Sequence, residues 1–308
     1  MMPTSNRIPT APTLPWIRDR DELPGALPTT AEIGAATREF PSIFDPSARR
    51  TVLVNQHFVV KYGRFVFENE GHALLFLDSV HGVPAPRLYA MYRENDKLYI
   101  VMEFIQGHQL SDTWSSLSED EKSPLVNQLR AIFDCLRALP SPDMFGGVCG
   151  GALPNRWFFS REKDRRITGP FDREEDLCRA LVLKSRYNWE LAGRRGWMTD
   201  FFERHLSNTL RGHASVFTHS DFQRKNILIR EKQRPLSTAD SGDSRRHFEV
   251  VAILDWEDAG WYPSYWNYSY CFSFFNWCDD WAEKVEHILD PYVPEGTLLR
   301  MVAQDLDS

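Results

Sequence analysis

Hydrophobic residues in the first third of the chain fall in short runs or alternate with polar ones, a pattern typical of β-strands. Residues 51–63, TVLVNQHFVVKYG, predict a hairpin that turns at Asn55 and Gln56. A helix is predicted from 68 to 80, where leucines recur at helical spacing. Residues 87–105 predict a second hairpin, whose returning strand is almost wholly apolar, as in a buried strand.

Helical periodicity dominates the chain after Gly107. Ser118 followed by Glu121 matches a capping box in front of a long helix that ends near Leu139. Residues 140–172 have the composition of an ordered loop region. Further helices are predicted at 173–193, 199–211, 264–276, 279–289 and 295–305. This order of elements predicts an α+β, two-lobed fold with a small β-rich lobe and a larger helical lobe.

Three segments of different character follow from these patterns. Residues 1–40 are rich in Pro, Thr and Ser and predict a partly flexible N-terminal extension, in which Thr30 caps a short helix. Residues 41–105 correspond to the β-rich lobe and 106–308 to the helical lobe, and a ligand site is expected where the lobes meet. Residues 231–247 contain almost no apolar side chains and predict an exposed hairpin loop.

The overall composition narrows the classes of function. A net charge of -7 argues against a general nucleic-acid binder, because phosphate backbones favour clustered Lys and Arg. The five cysteines include no CxxC pair, which indicates reduced thiols in an intracellular protein. No apolar stretch reaches the ~20 residues of a membrane span, and the N-terminus has no signal-peptide pattern. We therefore expect a cytoplasmic protein that acts without nucleic acid or a membrane as partner.

Polar residues with catalytic chemistry gather between Phe217 and Pro263. Asp221 and Asn226 lie in a loop before the strand NILI, and Asp255 ends the apolar run VVAIL. Two carboxylates and a carboxamide beside a hairpin suit the binding of Mg²⁺ against nucleotide phosphates. The alternative is that Asp221 and Asn226 only form a turn and that Asp255 only makes an ion pair.

Lys61 ends an apolar strand of the β-rich lobe. A lysine is costly to bury, so its side chain either extends to water or pairs with an acid. Glu70 and Glu68, at the start of the next predicted helix, are the candidate partners. A lysine held by a glutamate and directed at the α- and β-phosphates is a feature of phosphoryl transfer.

Several other side chains leave two interpretations open. Glu257 and Asp258 are alternatives to Asp255 as metal ligands, although Asp255 is closest to the strand. His219 is either a catalytic base or, as we favour, a residue that holds backbone geometry through hydrogen bonds. Four acids either attract a cationic acceptor or, as we favour, form a solvated helix face: Asp279, Asp280, Glu283 and Glu286. Seven aromatic residues are favoured as core over a sugar-stacking surface: Trp256, Trp261, Tyr262, Tyr265, Trp266, Tyr268 and Tyr270.

Several segments, in this order, resemble the aminoglycoside phosphotransferase family, and in particular its fungal members. This family is the small-molecule branch of the protein-kinase-like fold. The resemblance covers roughly Arg49 to Trp281 and includes independent motifs along the chain. The matching segments are HFVVKYG, ENEGHALLFL, VPAPRLYA, YIVMEFIQGHQLSDTW, HSDFQRKNILI and ILDWEDAGWYPSYW.

The resemblance implies a role for each of five residues. Asp221 would be the catalytic aspartate, while Asn226 and Asp255 would hold Mg²⁺. Lys61 would bind the phosphates of ATP, and Glu70 would orient Lys61.

The resemblance also implies an ATP- and Mg²⁺-dependent phosphotransferase that acts on a hydroxyl of a small molecule. The backbone of Glu103, Phe104 and Ile105 would form the hinge that binds adenine, and the helices after Gly107 would build the acceptor site. The alternative is a kinase-like nucleotide-binding or scaffold protein that transfers no phosphate. A protein kinase is disfavoured because the chain lacks the DFG and APE signatures. The acceptor and the oligomeric state are not readable from the sequence.

Three departures from the family pattern bear on the site. Ser220 stands where the family often has Gly, and Asn267 stands where fungal relatives often have an acidic residue. No glycine-rich motif precedes the strand of Lys61. Phosphates would then be covered by a residue of the segment DPSARR, for which the candidates are Ser47, Arg49 and Arg50.

Overall fold

The computed structural model describes residues 7–42, 44–232, 246–274 and 277–307. The part up to Glu103 is built mainly of strands, and the part that follows is mainly helical. The two-lobed α+β organisation predicted from the sequence is therefore observed.

The β-rich lobe contains the strands β1 (Trp16–Ile17), β2 (Arg49–Val54), β3 (Phe58–Gly63), β4 (Leu88–Glu94) and β5 (Lys97–Glu103). They form one antiparallel sheet in the order β1-β4-β5-β3-β2. Both predicted hairpins are confirmed. Asn55 and Gln56 have φ angles of 50° and 59°, and Asn95 and Asp96 have 48° and 59°, as tight two-residue loops require. Lys61 lies on β3, which has a neighbouring strand on each side, β5 and β2.

The N-terminal extension docks on this sheet. Besides β1, it contributes helix α1 (Thr30–Ala35), which packs through the fully buried Ile33. Thr29 caps this helix in a capping box with Glu32, so the predicted cap at Thr30 is wrong by one residue. The helix is also shorter than predicted, because the chain beyond it runs along β2, where Glu39 makes an isolated β-bridge.

The longer helices agree with the sequence patterns, whereas the short helices at Leu110–Thr113 and Arg165–Thr168 were not predicted, the second of them within the predicted loop region 140–172. Helix α2 (Glu68–Asp78) corresponds to the predicted helix at 68–80. Ser118 and Glu121 form the predicted capping box at the start of the longest helix. The helical lobe contains α3 (Leu110–Thr113), α4 (Glu119–Arg137), α5 (Arg165–Thr168), α6 (Glu174–Leu191), α7 (Trp197–Thr209), α8 (Trp266–Phe274), α9 (Trp281–Ile288) and α10 (Val293–Leu306). None of the helices in the described part of the chain is long and apolar enough to cross a membrane.

Two small sheets in the helical lobe position the candidate site. The strands are β6 (His108–Gln109), β7 (Gly146–Gly147), β8 (Ser215–Thr218), β9 (Ile227–Glu231), β10 (Phe248–Ile253) and β11 (Gly260–Pro263). One sheet has the order β10-β9-β6, and the other has the order β7-β11-β8. Of these strands, only β9 and β10 were predicted from the sequence, and β6, β7, β8 and β11 are additional to the prediction. The loop of Asp221 connects β8 to β9, and the loop of Asp255 connects β10 to β11. Because β9 pairs with β10 and β8 pairs with β11, the two loops lie side by side where the chain passes between the sheets.

Parts of two segments that were predicted to be flexible lie outside the described residues. These are residues 1–6 of the extension and residues 233–245 of the predicted exposed loop. The predicted aromatic core, in contrast, is confirmed, because all seven of its residues are buried: Trp256, Trp261, Tyr262, Tyr265, Trp266, Tyr268 and Tyr270.

Candidate active site

A buried lysine joins the two lobes. The Nζ atom of Lys61 lies 2.7 Å from Oε2 of Glu70, 2.8 Å from Oδ1 of Asp255 and 3.0 Å from Oε2 of Glu257. The side chain of Lys61 is only 4% exposed. Glu68, the other candidate partner of Lys61, instead pairs with Arg93 at 2.8 Å. The structure therefore brings together Lys61, Glu70 and Asp255, as the sequence predicts.

Lys61 and the carboxylates around it shift one another's pKa values. Burial opposes the charged form of Lys61, but Asp255, Glu70 and Glu257 outweigh burial and raise its pKa. Burial likewise opposes ionisation of Asp255, yet Lys61 and Arg49 lower the pKa of this carboxyl to about 2. Burial raises the pKa of Glu70 to about 7, although Lys61 partly offsets this effect. Lys61 and Asp255 are thus a fully charged pair at neutral pH.

The loop between β8 and β9 holds Asp221 and Asn226 against each other. The side-chain nitrogen of Asn226 donates to Oδ2 of Asp221 at 2.9 Å and to its carbonyl oxygen at 3.0 Å. The amide of Gln223 donates to Oδ1 of the same carboxylate. Because its nitrogen is used in this way, Asn226 keeps its Oδ1 atom as an acceptor for a cation.

His219 connects this loop to the loop of Asp255. Its Nε2 atom lies 2.8 Å from the carbonyl oxygen of Leu254, and its Nδ1 atom accepts from the backbone N–H of Asp221 at 3.2 Å. The imidazole is therefore neutral, with its proton on Nε2. The N–H of Leu254 in turn donates to the carbonyl oxygen of Asn226 at 2.7 Å. These bonds agree with the favoured interpretation of His219 as a residue that holds the backbone.

Ser220 takes a backbone conformation that favours glycine, with φ of 68°. Its backbone N–H donates to Oδ1 of Asn267 at 3.2 Å. Its hydroxyl accepts from Nε1 of Trp266 at 3.0 Å and from the amide of Asn155 at 3.4 Å. This buried network holds the residue next to Asp221 in a conformation that a serine rarely adopts.

Asp255 also has a left-handed backbone conformation, with φ of 63°. The chain turns there, and Glu257 is brought to the same side as Asp255 and Glu70. Oxygen atoms of these three carboxylates lie within 4.8 Å of one another. Carboxylate oxygens at such spacing suit a hard divalent cation such as Mg²⁺. The donor set of this chain therefore fits the predicted metal.

Asn69 was not singled out by the sequence, although it adjoins Glu70 on α2. Its side-chain nitrogen donates to the carbonyl oxygens of Glu257 at 2.9 Å and Ala259 at 2.8 Å. Its Oδ1 atom accepts from the N–H of Val148 at 3.2 Å. Asn69 thus ties the helix of Glu70 to the segment after Asp255, and an asparagine in a first helical turn carries no sequence signal for such a role.

The predicted hinge follows β5. The N–H of Glu103 donates to Arg87, and the N–H of Phe104 donates to His57, each at 2.9 Å. Within the part of the chain that the structure describes, no hydrogen bond engages the N–H of Ile105. The N–H of Ile105 is therefore available to a ligand, whereas the N–H groups of Glu103 and Phe104 are already used.

Three of the four C-terminal acids bind groups of the protein itself. Asp279 pairs with Arg224 at 2.7 Å, and Asp280 pairs with Lys122 at 2.8 Å. Glu286 accepts from the hydroxyl of Tyr268 at 2.9 Å. These contacts favour the interpretation of the acids as part of the helical surface rather than as an attractor for a cationic acceptor.

Comparison with protein families gives a match to the phosphotransferase enzyme family, APH, over residues 38–292. This match spans most of the chain and confirms the resemblance stated from the sequence. Together with the two lobes and the lysine that joins them, it also confirms the predicted protein-kinase-like fold. A comparison with curated proteins gave no match.

Two solved structures are similar to this chain over most of its length. The ternary complex of APH(2")-IIa with streptomycin and ATP covers 90% of this chain and 87% of its own, with 16% identity and a TM-score of 0.49. APH(3'')-Id from Streptomyces rimosus covers 89% of this chain and 94% of its own, with 14% identity and a TM-score of 0.43. At these values, the similarity carries no argument about the substrate of this chain.

Proposed function

Since this chain belongs to the phosphotransferase enzyme family and is a kinase-type enzyme, we propose that it transfers the γ-phosphoryl group of ATP to a hydroxyl of a small molecule with the help of Mg²⁺. The observation that carries this proposal is the ion pair of Lys61 with Asp255 across the two lobes. A cation from one lobe and a metal-ligating acid from the other are the two charges that a bound triphosphate requires.

Each residue of the candidate site has a role that follows from its chemistry. Lys61 neutralises phosphate charge, and Glu70 holds the ammonium group in place through its 2.7 Å contact. Asn226 and Asp255, with Glu257 close to Asp255, would hold Mg²⁺, which would neutralise charge on the phosphates. The carbonyl oxygen of Glu103 and the N–H of Ile105 would bind the edge of adenine.

Asp221 acts on the acceptor. Its carboxylate is held by Gln223 and Asn226, so it is oriented before any acceptor binds. In this position it would orient the attacking hydroxyl and take its proton late in the reaction. Most of the rate gain would come from alignment and from electrostatic stabilisation. The acceptor site would be built by the helices after Gly107.

A cytoplasmic location is part of the proposal. It is supported by the five cysteines, all within the described residues, none of which forms a disulfide.

The proposal is tested by ADP release with Mg²⁺-ATP and a panel of small molecules that carry hydroxyls. We expect turnover with at least one acceptor. The Asp221→Asn variant should lose ~10²–10⁴-fold in turnover, the range for positioned acid–base help, and keep its affinity for ATP. ATP binding without turnover on any acceptor would favour the scaffold alternative. Wild-type turnover in Asp221→Asn would contradict the assigned role.

A further inference from the structure

A second cation reaches the carboxylates that surround Lys61. Arg49 begins β2, and its side chain is only 10% exposed. Its NH1 atom lies 2.8 Å from Oε2 and 3.0 Å from Oε1 of Glu257, and its NH2 atom lies 3.7 Å from Oδ1 of Asp255. Arg49 and Lys61 therefore face the same two acids from neighbouring strands.

The local backbone holds Arg49 in this position. Arg49 lies opposite Gly63 in the pairing of β2 with β3. A Cβ atom on Gly63 would lie 2.2 Å from the carbonyl oxygen of Ala48, so only glycine permits this close approach. The ring of Phe44 lies 4.8 Å from the guanidinium carbon of Arg49 and covers its other face. The guanidinium is thereby restricted to the side of the metal-ligating segment.

The two other candidates from the same segment do not face these carboxylates. Arg50 pairs with Glu39 at 2.9 Å and donates to the hydroxyl of Tyr62 at 3.0 Å. The hydroxyl of Ser47 donates to Asp45 within its own turn. Of the three residues that could cover phosphates, the structure therefore brings only Arg49 to the site.

The charges around Arg49 also favour an exchange of partners. Lys61 and Arg49 together carry two positive charges, and Glu70, Asp255 and Glu257 carry three carboxylates. A divalent cation bound by Asp255 and Glu257 would compete with the guanidinium for the same oxygens. The released guanidinium would then find phosphate oxygens, which match its forked donors as well as a carboxylate does.

We propose that Arg49 binds phosphate in the nucleotide site, and that this side-chain contact replaces the missing glycine-rich loop. When Mg²⁺-ATP enters, the guanidinium of Arg49 exchanges Glu257 for oxygens of the triphosphate. This inference rests on the proposed function, because it requires a nucleotide between the lobes.

A series of ligands with increasing numbers of phosphates tests this inference. Binding of adenosine, ADP and ATP, with Mg²⁺ present, would be measured by calorimetry for the wild type, Arg49→Gln and Arg49→Lys. Arg50→Gln is the matched control, because Arg50 is the neighbouring arginine and binds outside the site. Thermal unfolding of each variant would report whether it is folded.

We expect Arg49→Gln to weaken ATP binding by ~10–100-fold, the range for losing hydrogen bonds to a charged group, and to leave adenosine binding unchanged. Arg49→Lys keeps the charge but loses the fork, so its ATP affinity should lie between those of the wild type and Arg49→Gln. Arg50→Gln should bind all three ligands as the wild type does.

Four results would overturn the inference. If Arg49→Gln binds ATP like the wild type, or if it weakens adenosine and ATP equally, then Arg49 has only a structural role, and the proposed function stands. If Arg49→Gln does not fold, wild-type ATP affinity in Arg49→Lys would overturn the inference in the same way. If the wild type itself binds no ATP, both the inference and the proposed function fail.

Discussion

The Nζ atom of Lys61 lies 2.8 Å from Oδ1 of Asp255, although the two residues are 194 positions apart in the sequence. One residue belongs to a strand of the β-rich lobe, and the other follows a strand of the helical lobe. Their direct contact shows that opposite charges from the two lobes meet at one point. Under the proposed function, Lys61 would bind phosphate at this point and Asp255 would hold Mg²⁺.

The ion pairs of Lys61 predict a large effect on stability. Replacement of Lys61 by Met removes the cation that pairs with the buried Glu70 and leaves Asp255 and Glu257 with Arg49 alone. Loss of one partner in a buried ion pair costs about 3–5 kcal/mol, because the remaining charge stays buried. We expect a decrease of this size in the free energy of unfolding, measured by denaturant titration.

A surface lysine provides the control for this prediction. Lys232 is 56% exposed and lies 3.8 Å from Glu249, so Lys232→Met should change the free energy of unfolding by no more than about 0.5 kcal/mol. Glu70→Gln, added to Lys61→Met, should recover part of the loss because it removes one unpaired acid. Equal stability of Lys61→Met and Lys232→Met would show that the buried pairs are not formed.

The hydrogen bond from Ser220 to Asn267 predicts an effect on catalysis, because it helps to position the loop of Asp221. Asn267→Leu removes the acceptor of a buried N–H, which costs about 1–3 kcal/mol of stability. It should also lower kcat, because the loop of Asp221 loses one of its supports. Asn267→Asp keeps an acceptor oxygen and should retain a kcat close to that of the wild type. Wild-type kcat in Asn267→Leu would mean that the network does not position Asp221.

The buried imidazole of His219 predicts a dependence of stability on pH. Burial lowers the pKa of His219, although Asp221 partly opposes this effect. The unfolded chain takes up a proton at the ordinary histidine pKa of about 6.5, while the folded chain resists it. The free energy of unfolding should therefore fall as the pH decreases through about 6.5.

Replacement by glutamine isolates this contribution. Denaturant titrations at several pH values between about 7.5 and 5.5 should show a weaker dependence on pH for His219→Gln than for the wild type. His287, which is exposed on α9, provides the control, since His287→Gln should keep the wild-type dependence. An unchanged slope in His219→Gln would contradict a neutral, buried His219.

The sequence was sufficient to identify candidate site residues where a residue's own segment carries a recognisable pattern. Lys61 belongs to an apolar strand, although β3 continues past it to Gly63, and Asp255 follows the end of β10. Each could be recognised from its own segment, and the structure brings both together. Asn226 lies beside Asp221 as their loop predicts. The chemical roles of these residues stay proposals, which the variants above test.

The sequence was not sufficient where a contact depends on packing between distant elements. Asn69 binds carbonyl groups 188 and 190 positions later, and no local pattern marks that contact. The choice among Ser47, Arg49 and Arg50 also required the structure, because it depends on the approach of the turn before β2 to the end of β3.

The most direct test of the account is calorimetric titration of ATP into the wild type and into Asp255→Asn, each with Mg²⁺ and with EDTA. We expect Mg²⁺ to strengthen binding of ATP to the wild type by at least ~10-fold, the lower end of the loss caused by removing a partner of a metal site. We expect Asp255→Asn to abolish this gain. Equal affinity of the wild type with Mg²⁺ and with EDTA, or a full gain in Asp255→Asn, would contradict a metal-bound triphosphate between Lys61 and Asp255.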